Sequence, residues 1–390
     1  MKYDFDSCID RTKVMSIKWS SKLRQEMYGE SDVIPLGIAD MDFKAAPAVA
    51  KAIQDRAAHE NYGYGYLADE FLMACVNWQK RRNHWDIKKE WITYTPGLNL
   101  PLVFAIELFT DPGDNVIIQS PVYYPYYDYV NKTGRHIVYN ALVNKDGYFE
   151  QLEMQAKDPK TKLILVCSPQ NPSGRLWTKE ELTRMGNICI DNGVKVVVDE
   201  IHSDLILTDR EFVSFATISD KFAQNSIICT SPSKSFNVAG LLVSDIIIPN
   251  DEMRAAFQEK MQPYYLWPGA FGAVAQIAAY NESEEWLEEL KEYLRGNAQF
   301  IADFIQKRMP KVKYRIPEAT YLGWLDFRAY GMTDQELWDF MCHKAKVATD
   351  DGPKFGPNGE AGGFQRINFS CPRAQLEEAL NRIAEALDAL

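Results

Sequence analysis

The sequence predicts an α/β protein with a mostly parallel sheet covered by helices on both faces. Three observations carry this reading. The middle of the chain holds short Val- and Ile-rich runs that are apolar on both faces. Amphipathic helical stretches alternate with them, and those stretches carry explicit start and stop signals.

In chain order, Ala45–Glu60 reads as a helix, and the apolar run Pro101–Phe109 as another. The strand-like runs are Asn115–Gln119, Lys162–Cys167, Val194–Asp199, Ser226–Thr230 and Ser244–Ile248. Thr178-Lys-Glu-Glu181 is a capping box ahead of a helix to about Asp191, with Gly193 as its stop. A helical stretch begins after Gly269, and Glu284 to Arg308 forms a long amphipathic helix closed by Pro310. Thr333 and Glu336 make a second capping box, and an amphipathic helix follows Pro372. The last hundred residues therefore read as α+β, with a domain change near residue 285. The expected organisation is a large domain over 44–285, inserted into a smaller discontinuous one made of 1–43 and 286–390.

At 390 residues the chain has room for two or three domains and a large buried core. Its charge balance, 43 basic against 54 acidic side chains, is −11. That argues against a nucleic-acid surface, which needs a basic field to meet phosphates. No apolar run is long enough to cross a membrane, and the charged opening MKYDFDSCIDRTKV lacks the core of a signal peptide, so a cytoplasmic chain is expected. Seven scattered cysteines without a CxxC read as buried hydrophobes in a reducing compartment rather than as disulfides or a zinc site. Gly63-Tyr-Gly65-Tyr-Leu-Ala68 satisfies a dinucleotide-binding pattern, but a helix precedes it where a strand is required. It reads instead as a glycine-rich surface turn, and no Walker A motif is present.

The chemistry gathers at strand ends. Lys234 stands in Thr230-Ser-Pro-Ser-Lys-Ser-Phe-Asn-Val-Ala-Gly240, just beyond an apolar strand, among the hydroxyls of Ser231, Ser233 and Ser235. Open α/β sheets build their sites at that end. Asp199 closes the Val-rich strand, and a buried carboxylate there needs a cation or several donors. It is either a metal ligand with Glu200 and His202 or the partner of a protonated pyridine nitrogen. Asn171 lies in Asn-Pro-Ser-Gly174 after another strand. Gly97, in Thr95-Pro-Gly-Leu-Asn99, opens a helix whose first backbone N–H groups suit an anion. A phosphate seat, a carboxylate for a ring nitrogen, an amide and a lysine able to form a Schiff base are the equipment for pyridoxal 5′-phosphate.

The order TPGLN, PVYY, NPSG, DEIH, SPSK and QRINFSCP resembles fold-type I pyridoxal-phosphate enzymes of the class I/II aminotransferase superfamily. Ala39-Asp-Met-Asp-Phe43, Ser168–Trp177, Asp199–His202, Ser233–Gly240 and Thr320–Asp326 resemble its bacterial cystathionine β-lyase (C–S lyase) branch, and the resemblance covers essentially the whole chain. It implies a seven-stranded, mostly parallel sheet in the large domain. It implies Lys234 as Schiff-base lysine and proton carrier, Asp199 on the pyridinium nitrogen, Asn171 and His202 beside the 3′-oxygen, and Tyr123 stacked on the ring. Gly97, Leu98 and Asn99 match the phosphate turn, with Ser231 and Ser233 on its other side. Arg366 matches the grip on the substrate α-carboxylate, with Ala39, Asn171 and Tyr123 also on the substrate side. The resemblance further implies a homodimer in which Tyr64 reaches the neighbouring chain's phosphate. Aminotransferases of this class carry an arginine eight residues after the lysine; here that residue is Leu242, as in the lyase branch.

The implied activity is β-elimination from cystathionine or a related cysteine S-conjugate, giving a thiol, pyruvate and ammonia. The alternative is an aminotransferase using the same residues. A binding or regulatory protein of this fold is the third class, and the joint presence of Lys234, Asp199 and Arg366 argues against it.

Overall fold

The computed structural model describes residues 1–142 and 145–390. They form two compact units. One comprises Ala45–Gln170 and Leu176–Leu287; the other comprises Met1–Lys44, Asn171–Arg175 and Glu288–Leu390. The smaller unit holds strand β1 (Ile34–Pro35) near its start.

The larger unit contains β2 (Ile92–Thr95), β3 (Asn115–Ser120), β4 (His136–Ala141), β5 (Thr161–Cys167), β6 (Lys195–Asp199), β7 (Ser226–Thr230) and β8 (Ser244–Ile247). They make one sheet in the order β2-β8-β7-β6-β5-β3-β4. Only β8 runs against its neighbours. Every residue of β2, β7 and β8 is buried, and β5 and β6 expose only the lysine near their starts. Val116, Ile118, Leu163, Leu165, Val197, Ile227 and Ile246 from the sheet share one core with Leu102, Phe104, Tyr126, Val130 and Phe257 from helices. That dual burial is why these strands read as unbroken Val/Ile runs.

The sheet's connectivity locates a site. From β3 the chain moves outward to β4, and β5 returns to the other side of β3. The carboxyl ends beside that reversal are where open α/β sheets hold ligands. β8 enters the sheet at the same edge, since Ser244 pairs with Thr95 and Asp245 with Thr230. The ends of β2, β3, β5, β6 and β7 therefore share one edge.

Helix signals match the observed caps. Lys179–Asp191 starts with the Thr178/Glu181 capping box, and Asp334–Asp339 with that of Thr333 and Glu336. The stretch carrying the dinucleotide-like pattern lies between helices Pro47–Ala58 and Asp69–Asn83, so a helix and not a strand leads into it. Among the described residues, no helix is long and apolar enough to cross a membrane.

In the smaller unit, β9 (Lys313–Tyr314), β10 (Leu322–Asp326), β12 (Asp350–Asp351) and β13 (Phe364–Asn368) form an antiparallel sheet in the order β12-β13-β10-β9. β11 (Val347–Ala348) pairs instead with β1. Helix Arg373–Asp388 buries Leu376, Leu380 and Ile383 in this unit.

Candidate active site

In the larger unit the sheet edge gathers most of the expected residues. β2 leads into a turn in which Gly97 adopts φ +84°, a conformation natural to glycine. The Gly97 N–H donates to the Thr95 carbonyl, and the Thr95 hydroxyl to the Gly97 carbonyl. Helix Asn99–Phe109 follows, with Leu98 at its N-cap and no side chain capping it. Its first N–H groups therefore face outward as donors. A Cβ placed on Gly97 would meet Leu242 Cδ2 at 4.0 Å, so Leu242 borders this turn and brings it no charge.

Lys234 lies in the short helix Pro232–Ser235 that follows β7, and it is half-buried. Ser231 shapes that turn. Its hydroxyl accepts from the Ser233 N–H at 3.0 Å and donates to the Val243 carbonyl at 2.6 Å. On the far side, the Ser235 hydroxyl donates to Asp204 Oδ2, and Trp78 Nε1 donates to Asp204 Oδ1. Both neighbours of Lys234 are thus tied down.

Asp199 ends β6 and is buried. Its Oδ2 accepts from the Tyr126 hydroxyl at 2.9 Å, and its Oδ1 from the Ile201 N–H at 3.1 Å. Burial pushes this carboxyl above the usual range, while the Ile201 N–H, the Tyr126 hydroxyl and the Lys234 ammonium favour its ionised form. His202 is buried in the turn that follows β6, and Tyr123 precedes helix Pro125–Lys132 after β3. Glu200 does not join Asp199 in a metal site. Its carboxylate accepts from the Ser214 hydroxyl and the Phe215 N–H, each at 3.0 Å, and burial pushes it up to about 8. Among the described residues, no three His, Cys, Asp or Glu side chains converge to hold a metal.

The smaller unit holds the other group. Arg366 is buried on β13. Its Nη1 donates to Asn171 Oδ1 at 2.9 Å, and its Nη2 to the Gly37 carbonyl at 3.0 Å and to the Asp350 carboxylate. The Phe355 ring lies 4.8 Å from the guanidinium. Ala39 sits in a loop pinned by three bonds: its carbonyl accepts from the Tyr321 hydroxyl, and those of Ile38 and Asp40 accept from Asn368. Tyr64 is fully exposed in the glycine-rich segment of the larger unit.

Two residues in these clusters escape sequence reasoning. Tyr126 holds Asp199, and its signal was the aromatic run after β3, in which Tyr126 follows Tyr123 by three positions. Asp350 pairs with Arg366 across the β12–β13 register. Its only trace in the sequence is the acidic pair Asp350-Asp351, which follows Val347-Ala348-Thr349.

The larger-unit cluster fits pyridoxal phosphate on its own chemistry. An uncapped helix start and serine hydroxyls suit a phosphate. A buried carboxylate pushed upward gains from a cationic ring nitrogen. A half-buried lysine at a strand end is within reach of solvent-borne cofactor.

Comparison with known proteins agrees. Residues 31–383 match the family described as Aminotransferase class I and II. The chain is 43% identical to cystathionine beta-lyase PatB of Bacillus subtilis, over 98% of this chain and all of that one. It is 32% identical to Protein MalY of Escherichia coli over the full length of both. Among solved structures, cystalysin from Treponema denticola, which contains a pyridoxal 5′-phosphate cofactor, superposes with a TM-score of 0.95 at 36% identity and full coverage of both chains. The PLP-bound C-S lyase from Staphylococcus hominis does so with a TM-score of 0.92 at 30% identity, covering 99% of this chain and 98% of that one.

Proposed function

Because the chain belongs to the class I and II aminotransferase family, we propose that its two clusters serve one reaction, β-elimination from a cysteine S-conjugate such as cystathionine. The protein is a pyridoxal-phosphate-dependent carbon–sulfur lyase of the cystathionine β-lyase type. Water and the thioether amino acid give a thiol, pyruvate and ammonia.

When bound, the cofactor draws electrons from the substrate α-carbon, which makes its proton removable. Asp199 holds a proton on the ring nitrogen, and Tyr126 and Ile201 hold Asp199. Lys234 would hold the cofactor and would serve as the base for the substrate α-proton, whose loss lets the β-thiolate leave. The N–H groups of Leu98 and Asn99, with the hydroxyls of Ser231 and Ser233, take the phosphate, Gly97 giving their turn its shape. Tyr123 would pack on the ring, and His202 and Asn171 would lie on the side of its 3′-oxygen. Arg366 binds the α-carboxylate beside Ala39.

The observation that carries the lyase reading over transamination is Leu242 beside the phosphate turn, where aminotransferases of this class place an arginine. A homodimer with Tyr64 donated across its interface is part of the proposal, supported by the full exposure of that ring. A reducing cytoplasm suits the cysteines, six of them buried and none in a disulfide.

The test uses purified protein reconstituted with pyridoxal phosphate. It is expected to be yellow and to release thiol and pyruvate from cystathionine without added keto acid. Borohydride reduction and peptide mapping should place the pyridoxyl label on Lys234. A label on another lysine, or turnover only with a keto acid, sinks the reading.

A further inference from the structure

Arg366 has five N–H donors. Both Nη2 protons are engaged, one by the Gly37 carbonyl and one by Asp350 Oδ2, and one Nη1 proton is engaged by Asn171. A carboxylate binds guanidinium best through two parallel bonds along one edge. Each two-donor edge includes an Nη2 proton, so neither edge is wholly open. Arg366 Nε is buried without a hydrogen-bond partner among the described residues, so the guanidinium retains unused capacity but no complete fork.

Of the two groups on Nη2, the Gly37 carbonyl is backbone. It sits so close to Asp350 that a Cβ at Gly37 would lie 3.3 Å from the Asp350 carboxyl carbon. Asp350 is therefore the ligand that can give way. Its side chain is 11% exposed against 3% for Arg366, so the pair is largely desolvated and each charge relies on the other.

We propose that Asp350 is a specificity-determining residue: a resident carboxylate that the substrate α-carboxylate must displace from Arg366. The proposal rests on the lyase reading for the role of Arg366. Exchange of one carboxylate for another gains little, because Asp350 is left without its cation. A substrate must therefore draw affinity from groups other than its α-carboxylate. Asp350 also keeps Arg366 ordered and neutralised between turnovers.

The test measures dissociation constants on the holoenzyme by calorimetry, with L-alanine as a probe that has no leaving group and L-alaninamide as its uncharged counterpart. In the unaltered protein, loss of the carboxylate should weaken binding by less than about tenfold. An unengaged buried arginine would make the difference a hundredfold or more. Asp350→Asn keeps the acceptor but removes the charge. It should tighten L-alanine binding by about tenfold or more and leave L-alaninamide unchanged. Equal or weaker L-alanine binding by a folded Asp350→Asn protein overturns the proposal, because it makes Asp350 only a support for Arg366. A carboxylate preference above about a hundredfold in the unaltered protein overturns it too, and that arm decides alone if the variant does not fold. The visible cofactor band and the Lys234 label, taken from the same preparation, report separately on the lyase reading.

Discussion

Asp199→Asn separates chemistry from architecture at the position proposed to face the cofactor's ring nitrogen. The carboxylate accepts two hydrogen bonds, from Tyr126 and from the Ile201 N–H. An asparagine oxygen can keep the Ile201 bond, and its amide can donate to the Tyr126 hydroxyl oxygen. The exchange puts about 1 kcal/mol per bond at stake. It also removes a carboxylate whose burial works against ionisation. Stability without cofactor should therefore change by less than about 2 kcal/mol. Turnover should fall far more. An amide cannot hold the ring nitrogen protonated, and losing one preorganised electrostatic partner of a developing charge typically costs about 10²–10³ in rate. The assay pairs urea unfolding with thiol and pyruvate release at saturating pyridoxal phosphate. Turnover within about tenfold of the parent would refute the assigned role. So would inactivation by a chelator with recovery on adding a divalent metal, which would return Asp199 to the metal-ligand reading.

Other outcomes follow from single features. Tyr64→Phe should weaken cofactor retention, and Lys234→Ala should be inactive; mixing the two under subunit exchange should restore activity above either parent, whereas no gain on mixing would place Tyr64 in its own chain's site. Asp245 accepts from Gln276 and Tyr280 in the buried sheet, and burial pushes its carboxyl up to about 7. The folded state then keeps a proton that the unfolded chain gives up, so this group's stability contribution is full below about pH 4 and is lost as pH rises towards 7. Asp245→Asn should become more stable relative to the parent by about 1.4 kcal/mol per pH unit in that window, read from urea midpoints; a pH-independent difference would refute it. Thr178→Ala removes the acceptor for the Glu181 N–H and should lower stability by about 1 kcal/mol at constant m-value, while an unchanged midpoint would show that the cap contributes nothing.

What could be read in advance follows from how local each signal is. β5, β6 and β7 announce themselves because full burial demands unbroken Val and Ile, and each run ends abruptly at polar residues. Cys167-Ser168, Asp199-Glu200 and Thr230-Ser231 mark those ends, so the residues proposed to do chemistry stand near the most visible boundaries in the chain. β2 and β4 are harder to see. β2 is a four-residue Ile-Thr-Tyr-Thr stretch, and β4 is an edge strand with His136 exposed and only Asn140 fully buried, so neither shows a continuous apolar run.

The Arg366–Asp350 pair was illegible for a different reason. The two residues are sixteen apart, and the chain between them makes an irregular excursion before β13 returns beside β12. Only the antiparallel register decides that Asp350, rather than Asp351, stands opposite the arginine. A shift of one residue would put Asp350 on the other face and Asp351 opposite Arg366. Gly37 packs tightly against that register, since a Cβ there would lie 3.2 Å from the Thr349 carbonyl carbon and 3.3 Å from the Asp350 carboxyl carbon. The roles proposed for Lys234 and Asp199 are expected from strand-end position together with the family resemblance. The way the site admits a carboxylate depends on a register that the sequence does not print, and that is where specificity among otherwise similar lyases has room to differ.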